Sequence, residues 1–183
     1  MKILVDACVL YPTVMREIVL GCATACDDTL LWSARILEEW ARAAARIDPA
    51  QDVIARGEIS LIRAKWPDAE IEPDPSLEQQ LYLPDVADRH VLAAAICGQA
   101  DVIMTMNLKD FPPQVLAEFA LTARHPDAIL RDRFDQFPAQ ILAVVKSVHA
   151  QAENLSGTPI NMRKLLKKAR LPRLGKAIEN ATR

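Results

Sequence analysis

Residues 83–112, LPDVADRHVLAAAICGQADVIMTMNLKDFP, decide the architecture of this chain. The small-residue run after Asp85 reads as a helix with Gly98 as its C-cap. "DVIMTM" follows as a short, fully apolar strand, and "NLKDFP" as the loop after it. A helix delivering the chain straight into a buried strand is the repeating unit of a parallel sheet. Upstream, "KILVD" (2–6) reads as a buried strand bounded by a loop at Tyr11–Pro12, with a helix continuing through "TVMREIVLGCATA". "TLLW" is a second strand. "SARILEEWARAAARI" is a helix that Ser33 can cap, with Ile36, Leu37, Trp40 and Ala44 as its apolar stripe. "PAQDVIARGEISLIRAKW" is a third helix. Residues 67–85 carry four prolines and read as a connection holding at most one short strand. Downstream come a short helix at "PQVLAEFA", a strand at "LTARH" and a helix at "PDAILRDRF". The expected fold class is α/β, with a mainly parallel central sheet.

From Pro138 the signals are helical only. They comprise "AQILAVVKSVHAQAENL", then "TPINMRKLLKKARL" with a Thr158 cap and a Pro159 start, then "PRLGKAIENA". Charge changes in the same region. Residues 1–137 hold 13 Lys and Arg against 22 Asp and Glu, or −9, and residues 138–183 hold 9 against 2, or +7. An acidic body with a basic helical tail suggests different partners for each. No apolar run reaches the roughly 18 residues of a membrane helix, and no signal peptide is evident, so the expectation is a cytoplasmic protein without membrane contact. Cys8, Cys22, Cys26 and Cys97 form no CxxC pair and read as reduced core residues.

Functional groups of parallel α/β sheets gather at the carboxyl ends of the strands. Asp6 ends the first strand, and Asp110 lies in the loop after "DVIMTM". Asp85 and Asp88 open the Ala-rich helix, and Glu38 and Glu39 lie in the second turn of the helix after "TLLW". Each has a structural reading: Asp85 as a helix cap, Asp88 as a dipole partner, Asp110 as a turn residue, the two glutamates as a solvated face. Glu39 lies beside the apolar stripe and Glu38 points away from it. Asp6 resists such a reading, because a carboxylate after three buried apolar residues is costly unless paired or bound to a cation. Four acids converging without a basic partner imply a cation, and oxygen donors select Mg²⁺ or Mn²⁺. Such a site suits phosphodiester hydrolysis. His90 follows Asp88 by two and reads as a packing residue rather than a general base. His125 and His149 have no partner pattern.

"ILVDACVLYP", "SARILEEWARA", "LPDVADRHVLAAAICGQADVIMTMNLKDFP" and "LTARHPDAIL" together resemble the PIN-domain ribonucleases, most of all the VapC-type toxins with an added C-terminal helical region. The resemblance covers about residues 1–133, leaving 134–183 as a basic helical extension. It implies a PIN-like three-layer α/β/α fold and metal-dependent endoribonuclease activity leaving 3′-hydroxyl and 5′-phosphate ends. It places the metal-binding, catalytic acids at Asp6, Glu39, Asp88 and Asp110. Thr105 and Asn107 match supporting polar residues, and Asp85 is either a further acid near the metal or the helix cap. It also implies an RNA substrate (transfer or ribosomal RNA), a cognate antitoxin and a homodimer. Many relatives carry Asn or Ser where Cys8 stands, and a thiol is a poor Mg²⁺ ligand, so Cys8 reads as a packing residue.

Arg163, Lys164, Lys167, Lys168, Arg170 and Arg173 give the tail a cationic face, fit for RNA phosphate or an acidic partner. The tail carries no aromatic for base stacking. Two rival readings exist. A non-catalytic PIN module that binds RNA or protein predicts a broken acid set, yet all four positions are acidic. A haloacid-dehalogenase-type phosphatase needs a second Asp where Cys8 stands.

Overall fold

A computed structural model describes residues 1–182. Among the described residues, five strands form one all-parallel sheet: β1 (Lys2–Val5), β2 (Thr29–Ser33), β3 (Glu70–Ile71), β4 (Val102–Met104) and β5 (Thr122–Arg124). Their order is β3-β2-β1-β4-β5. Ile3 stands between Leu30 of β2 and Val102 of β4, and Val5 opposite Met104. Ile3, Leu4 and Val5 are buried, as a strand flanked on both sides requires. Each contributes about 1.5–3 kcal/mol of burial relative to exposure.

The chain forms two compact units. The first comprises Met1–Tyr11 and Thr29–Arg124, and so contains the whole sheet. Its helices are α1 (Ala7–Leu10), α3 (Ala34–Ala45), α4 (Pro49–Lys65), α5 (Pro75–Gln80), α6 (Arg89–Cys97) and α7 (Pro113–Ala117). α6 packs on β1, β2 and β4, and α3 packs on β2, α1 and α4. Ala93, Ala94 and Ala95 of α6 are fully buried, because small side chains let this helix lie close to the sheet. Ser33 caps α3 as expected, accepting the Ile36 N–H. The connection at 67–85 holds more structure than expected. Besides β3 it contains α5, started by Pro75 and capped by Asp74, which accepts the Ser76 N–H. The four prolines hid a helix for which one of them supplies the first residue.

The second unit comprises Pro12–Asp28 and the chain from His125 on. It holds α2 (Thr13–Ala25), α8 (Pro126–Gln136), α9 (Pro138–Ser156), α10 (Met162–Lys168) and α11 (Pro172–Ala181). α2 and α9 approach so closely that a Cβ at Gly21 would come within 2.6 Å of Val144 Cγ1. A division at 133/134 falls inside α8, which packs with α9, α11 and α2. The second helix of the tail begins later than expected. Asn161, not Thr158, caps it by accepting the Lys164 N–H, and Thr158 instead hydrogen-bonds with Ser156. Two buried acids anchor this unit. Asp28 pairs with Arg133, whose Nε donates to Oδ2 at 2.8 Å. Asp127 accepts the Arg173 and Leu174 N–H groups at 2.9 and 3.0 Å, capping the start of α11 through a side chain distant in sequence. No described helix is long and apolar enough to cross a membrane.

Candidate active site

The strand order reverses direction at β1, with β2 on one side and β4 on the other. The crevice beyond the carboxyl ends of β1 and β4 is the topological switch point, where open α/β sheets bind ligands. Asp6 follows β1 there and Thr105 follows β4. The backbone ladder runs one step past the strands, with Asp6 N–H donating to Met104 O at 3.1 Å and Thr105 N–H to Arg124 O at 3.1 Å. Both side chains are therefore held by the sheet.

Asp6 is buried at 6% exposure, yet its carboxylate makes no capping bond to α1. Its Oδ2 accepts the Thr105 hydroxyl at 2.6 Å and the Cys8 thiol at 3.0 Å, and its Oδ1 accepts nothing from the described residues. The Cys8 sulfur also accepts the Met106 N–H at 3.3 Å. Burial pushes the Cys8 thiol up to about 12, with the Asp6 charge second. It stays protonated at neutral pH, and so remains a donor. Cys8 is thus a hydrogen-bonding neighbour of Asp6, not the packing residue its sequence setting suggested. Its position in the first turn of α1, two residues past the acid, was the available signal.

Asp88 sits at the junction of a 3₁₀ turn (Val86–Asp88) and α6, and caps neither. Asp85 does the capping, accepting the Ala87 N–H at 2.8 Å, and is exposed. The Asp88 carboxyl is raised to about 6, first by burial and then by the charges of Asp6, Asp85 and Asp110, with His90 opposing. Four acids from three segments therefore share one electrostatic neighbourhood. Asp110 closes a second 3₁₀ turn (Leu108–Asp110) and is half-buried. Asn107 donates its backbone N–H to the Thr105 hydroxyl at 3.0 Å, and its side chain is exposed.

Glu39 stands differently. On α3 it lies 3.7 Å from Arg35, and its Oε1 is 2.8 Å from His90 Nε2. That approach is out of line for a hydrogen bond, and neither ring nitrogen of the buried His90 has a hydrogen-bond partner. His90 is buried as expected, but against an acid. Glu38 points away, as expected, into pairs with Arg42 and Arg56. The basic residues of the tail lie in the second unit. Lys164, Lys167, Lys168, Arg170 and Arg173 are exposed, while Arg163 lies against Glu179 and donates to Pro172 O.

Among the described residues, no three His, Cys, Asp or Glu side chains stand close enough together to hold a metal ion as they are. The donor chemistry nonetheless fits a hard divalent cation. Asp6 Oδ1 receives no donor from the described residues, the Asp88 carboxyl is raised first by burial and then by neighbouring negative charge, and the groups concerned are all oxygens.

The family model of the PIN domain matches residues 2–109 of the chain. A protein of Mycobacterium tuberculosis (strain ATCC 25618 / H37Rv) named "Putative ribonuclease VapC50" is 47% identical over 58 residues. That match takes in 32% of this chain and spans about a third of the relative, 34% of its length. No solved structure matches at a significant level. The five-stranded parallel sheet with its helices is the α/β/α architecture of such domains, followed here by a helical C-terminal part.

Proposed function

This chain belongs to the PIN-domain family, and from that premise we propose that it is a Mg²⁺- or Mn²⁺-dependent endoribonuclease acting as the toxin of a toxin–antitoxin pair. The observation that carries the reading is the uncompensated group of Asp6, Asp88 and Asp110 at the sheet's switch point, where burial and mutual repulsion hold Asp88 near 6. A divalent cation relieves that repulsion. Asp6, Asp88, Asp110 and Glu39 would hold it, with Asp85 a nearby negative charge. When bound, the metal lowers the pKa of water and stabilises charge on the phosphodiester.

The chain's own residues have distinct parts in this scheme. Thr105 and Cys8 fix one oxygen of Asp6 and leave the other without a donor among the described residues. Asn107 supports Thr105 through its backbone N–H. Asp88, its carboxyl raised to about 6 by burial and then by neighbouring charge, would bind the cation in its ionised form. Glu39 has to turn from His90 and Arg35 to contribute its carboxylate.

The named relative supports ribonuclease activity and the VapC type. A small antitoxin blocking the site, a homodimer, a cytoplasmic setting and a transfer or ribosomal RNA substrate belong to the same proposal. The basic helices α10 and α11 recruit RNA phosphate in this reading. The engagement of Glu39 by His90 favours one alternative, a non-catalytic PIN module that binds RNA. Incubating RNA with the protein in Mg²⁺, Mn²⁺ or EDTA separates the two. Cleavage with metal, abolished by EDTA and by Asp6→Asn in a folded variant, supports the nuclease. Full cleavage by Asp6→Asn sinks the mechanism.

A further inference from the structure

A cavity of about 530 Å³ opens in the first unit beyond the carboxyl ends of β2 and β3, lined among others by Ser33, Arg35, Ile71, Glu72, Pro73 and His90. That volume lies within the roughly 300–1,000 Å³ of small-molecule sites. The cavity adjoins the acids described above, because Arg35 and His90 also stand against Glu39, at 3.7 and 2.8 Å.

Its polar lining is incomplete in a specific way. Of the carboxylates present, Glu70 is taken by Arg63 at 2.6 Å and Glu78 by Arg35 at 2.9 Å. Glu72 has neither an ion pair nor a hydrogen bond among the described residues and is exposed. His90, 2% exposed, has no partner at Nδ1 among the described residues, and its Nε2 meets Glu39 Oε1 at 2.8 Å without hydrogen-bond alignment. Buried polar atoms without partners are uncommon and mark places where a ligand can complete the bonding. Surplus negative charge rejects a phosphate here and selects a donor-rich, uncharged or cationic group. Ile71, Pro73 and Pro75 add flat apolar wall.

We infer that this cavity is a subsite for a guanine base of the RNA, with Glu72 reading its Watson–Crick edge. Guanine presents N1–H and the 2-amino group side by side, and a carboxylate offers two oxygens to match. Adenine and cytosine each place a single amino group beside a ring acceptor, and uracil sets one N–H between two carbonyls. Splayed-out bases are read on that edge in single-stranded RNA. The acceptors O6 and N7 of guanine suit an N–H of His90 or the Arg35 guanidinium. Cleavage then falls beside guanine. The inference rests on the nuclease reading only in calling the base a substrate's.

Base binding is therefore measured without metal or turnover. The full chain is titrated by calorimetry with the 5′-monophosphates of guanosine, inosine, adenosine, cytidine and uridine, which share one phosphate and differ in the base. The expected result is guanosine monophosphate binding at least tenfold tighter than the adenosine, cytidine and uridine compounds. Inosine monophosphate, lacking the 2-amino group, falls between. Glu72→Gln and Glu72→Ala, with unchanged melting curves, should each remove the guanine preference and leave adenosine monophosphate binding as it was. Equal binding of all five overturns the inference, as does a preference that survives both substitutions. Glu72-dependent binding of a short arginine-containing peptide, with no binding of guanosine monophosphate, assigns the cavity to a protein partner and overturns it too. Absence of guanine binding with metal-dependent cleavage intact refutes the subsite alone. Guanine binding without cleavage refutes the nuclease alone.

Discussion

Asp6 and Asp127 are both aspartates buried to within a few per cent, and they are treated in opposite ways. Asp127 spends both oxygens: Oδ2 accepts the Arg173 N–H and Oδ1 the Leu174 N–H, at the positive start of α11. Nothing in that arrangement calls for a further ligand. Asp6 receives two donors on Oδ2 and none on Oδ1, and it stands in the field of Asp88, whose carboxyl is raised first by burial and then by the charges of Asp6, Asp85 and Asp110. A buried acid that is fully hydrogen-bonded holds the fold together. One left half-bonded among like charges is unfavourable by itself and is offset only by something that binds.

The sharpest way to break this contrast is to neutralise each acid in turn. Asp6→Asn should lower metal-dependent RNA cleavage by roughly 10³-fold or more while leaving the melting temperature unchanged or slightly higher, because it removes repulsion. Asp127→Ala should do the reverse. It strands two backbone N–H groups at a helix start, costing about 2 kcal/mol of stability, and lowers the melting temperature. Chemical denaturation of both variants beside a cleavage assay checks the pair. Equal destabilisation by the two changes would erase the distinction drawn between them.

Next in size is the support of Asp6. Thr105→Val removes the 2.6 Å hydroxyl donor and should weaken Mn²⁺ binding by about 10–100-fold, the usual scale for a group that orients a ligand. Cys8→Ala should lose less, and Cys8→Ser should restore most of that loss, since a hydroxyl donates to Oδ2 as the thiol does. A serine variant no better than alanine would return Cys8 to a packing role.

Much of this arrangement can be read in the sequence, and the reason is local. "KILVD", "TLLW" and "DVIMTM" announce buried strands by composition alone. Ser33 announces its helix, and an acid at the end of a buried strand announces itself by its cost. What escaped depends on residues distant in sequence. Asp127 looks like an ordinary first-turn acid of α8 until α11 is laid against it, 46 residues on. His90 looks like packing until α3 brings Glu39 to it. Helix α5 was concealed because its proline reads as a breaker unless the cap before it, Asp74, is weighed together with it. Among the sulfurs, Cys8 could be placed near Asp6 by spacing, but whether it packs or donates depends on the geometry at Met106 and Thr105.

The contrast also has a pH signature. The Asp88 carboxyl, ordinarily at 3.8, is raised to about 6 in the folded chain. Between those values the folded state keeps a proton that the unfolded state releases. Stability from this group is therefore fully present below about 4 and is lost as pH rises through 6. Melting of the metal-free protein from about pH 4 to 7 should show the decline, and Asp88→Asn should flatten it. Mn²⁺ affinity should rise over the same interval, with a proton released on binding. An Asp88→Asn variant with the parent's profile would mean that the charges around Asp88 are already compensated.

The smallest effect expected concerns the cations of the second unit. Lys164, Lys167 and Lys168 are exposed, and α10 carries no acidic residue to neutralise them. If they meet RNA phosphate, reversing all three to Glu should weaken RNA binding uniformly across sequences. It should also reduce the salt slope by about one for each phosphate that a lysine had neutralised. Cleavage per bound RNA should stay as it was, since none of the three belongs to the acid group. A changed cleavage pattern with an unchanged salt slope would move these lysines from phosphate binding to base selection. The reading of Glu72 as the group that selects the base would then need a competitor.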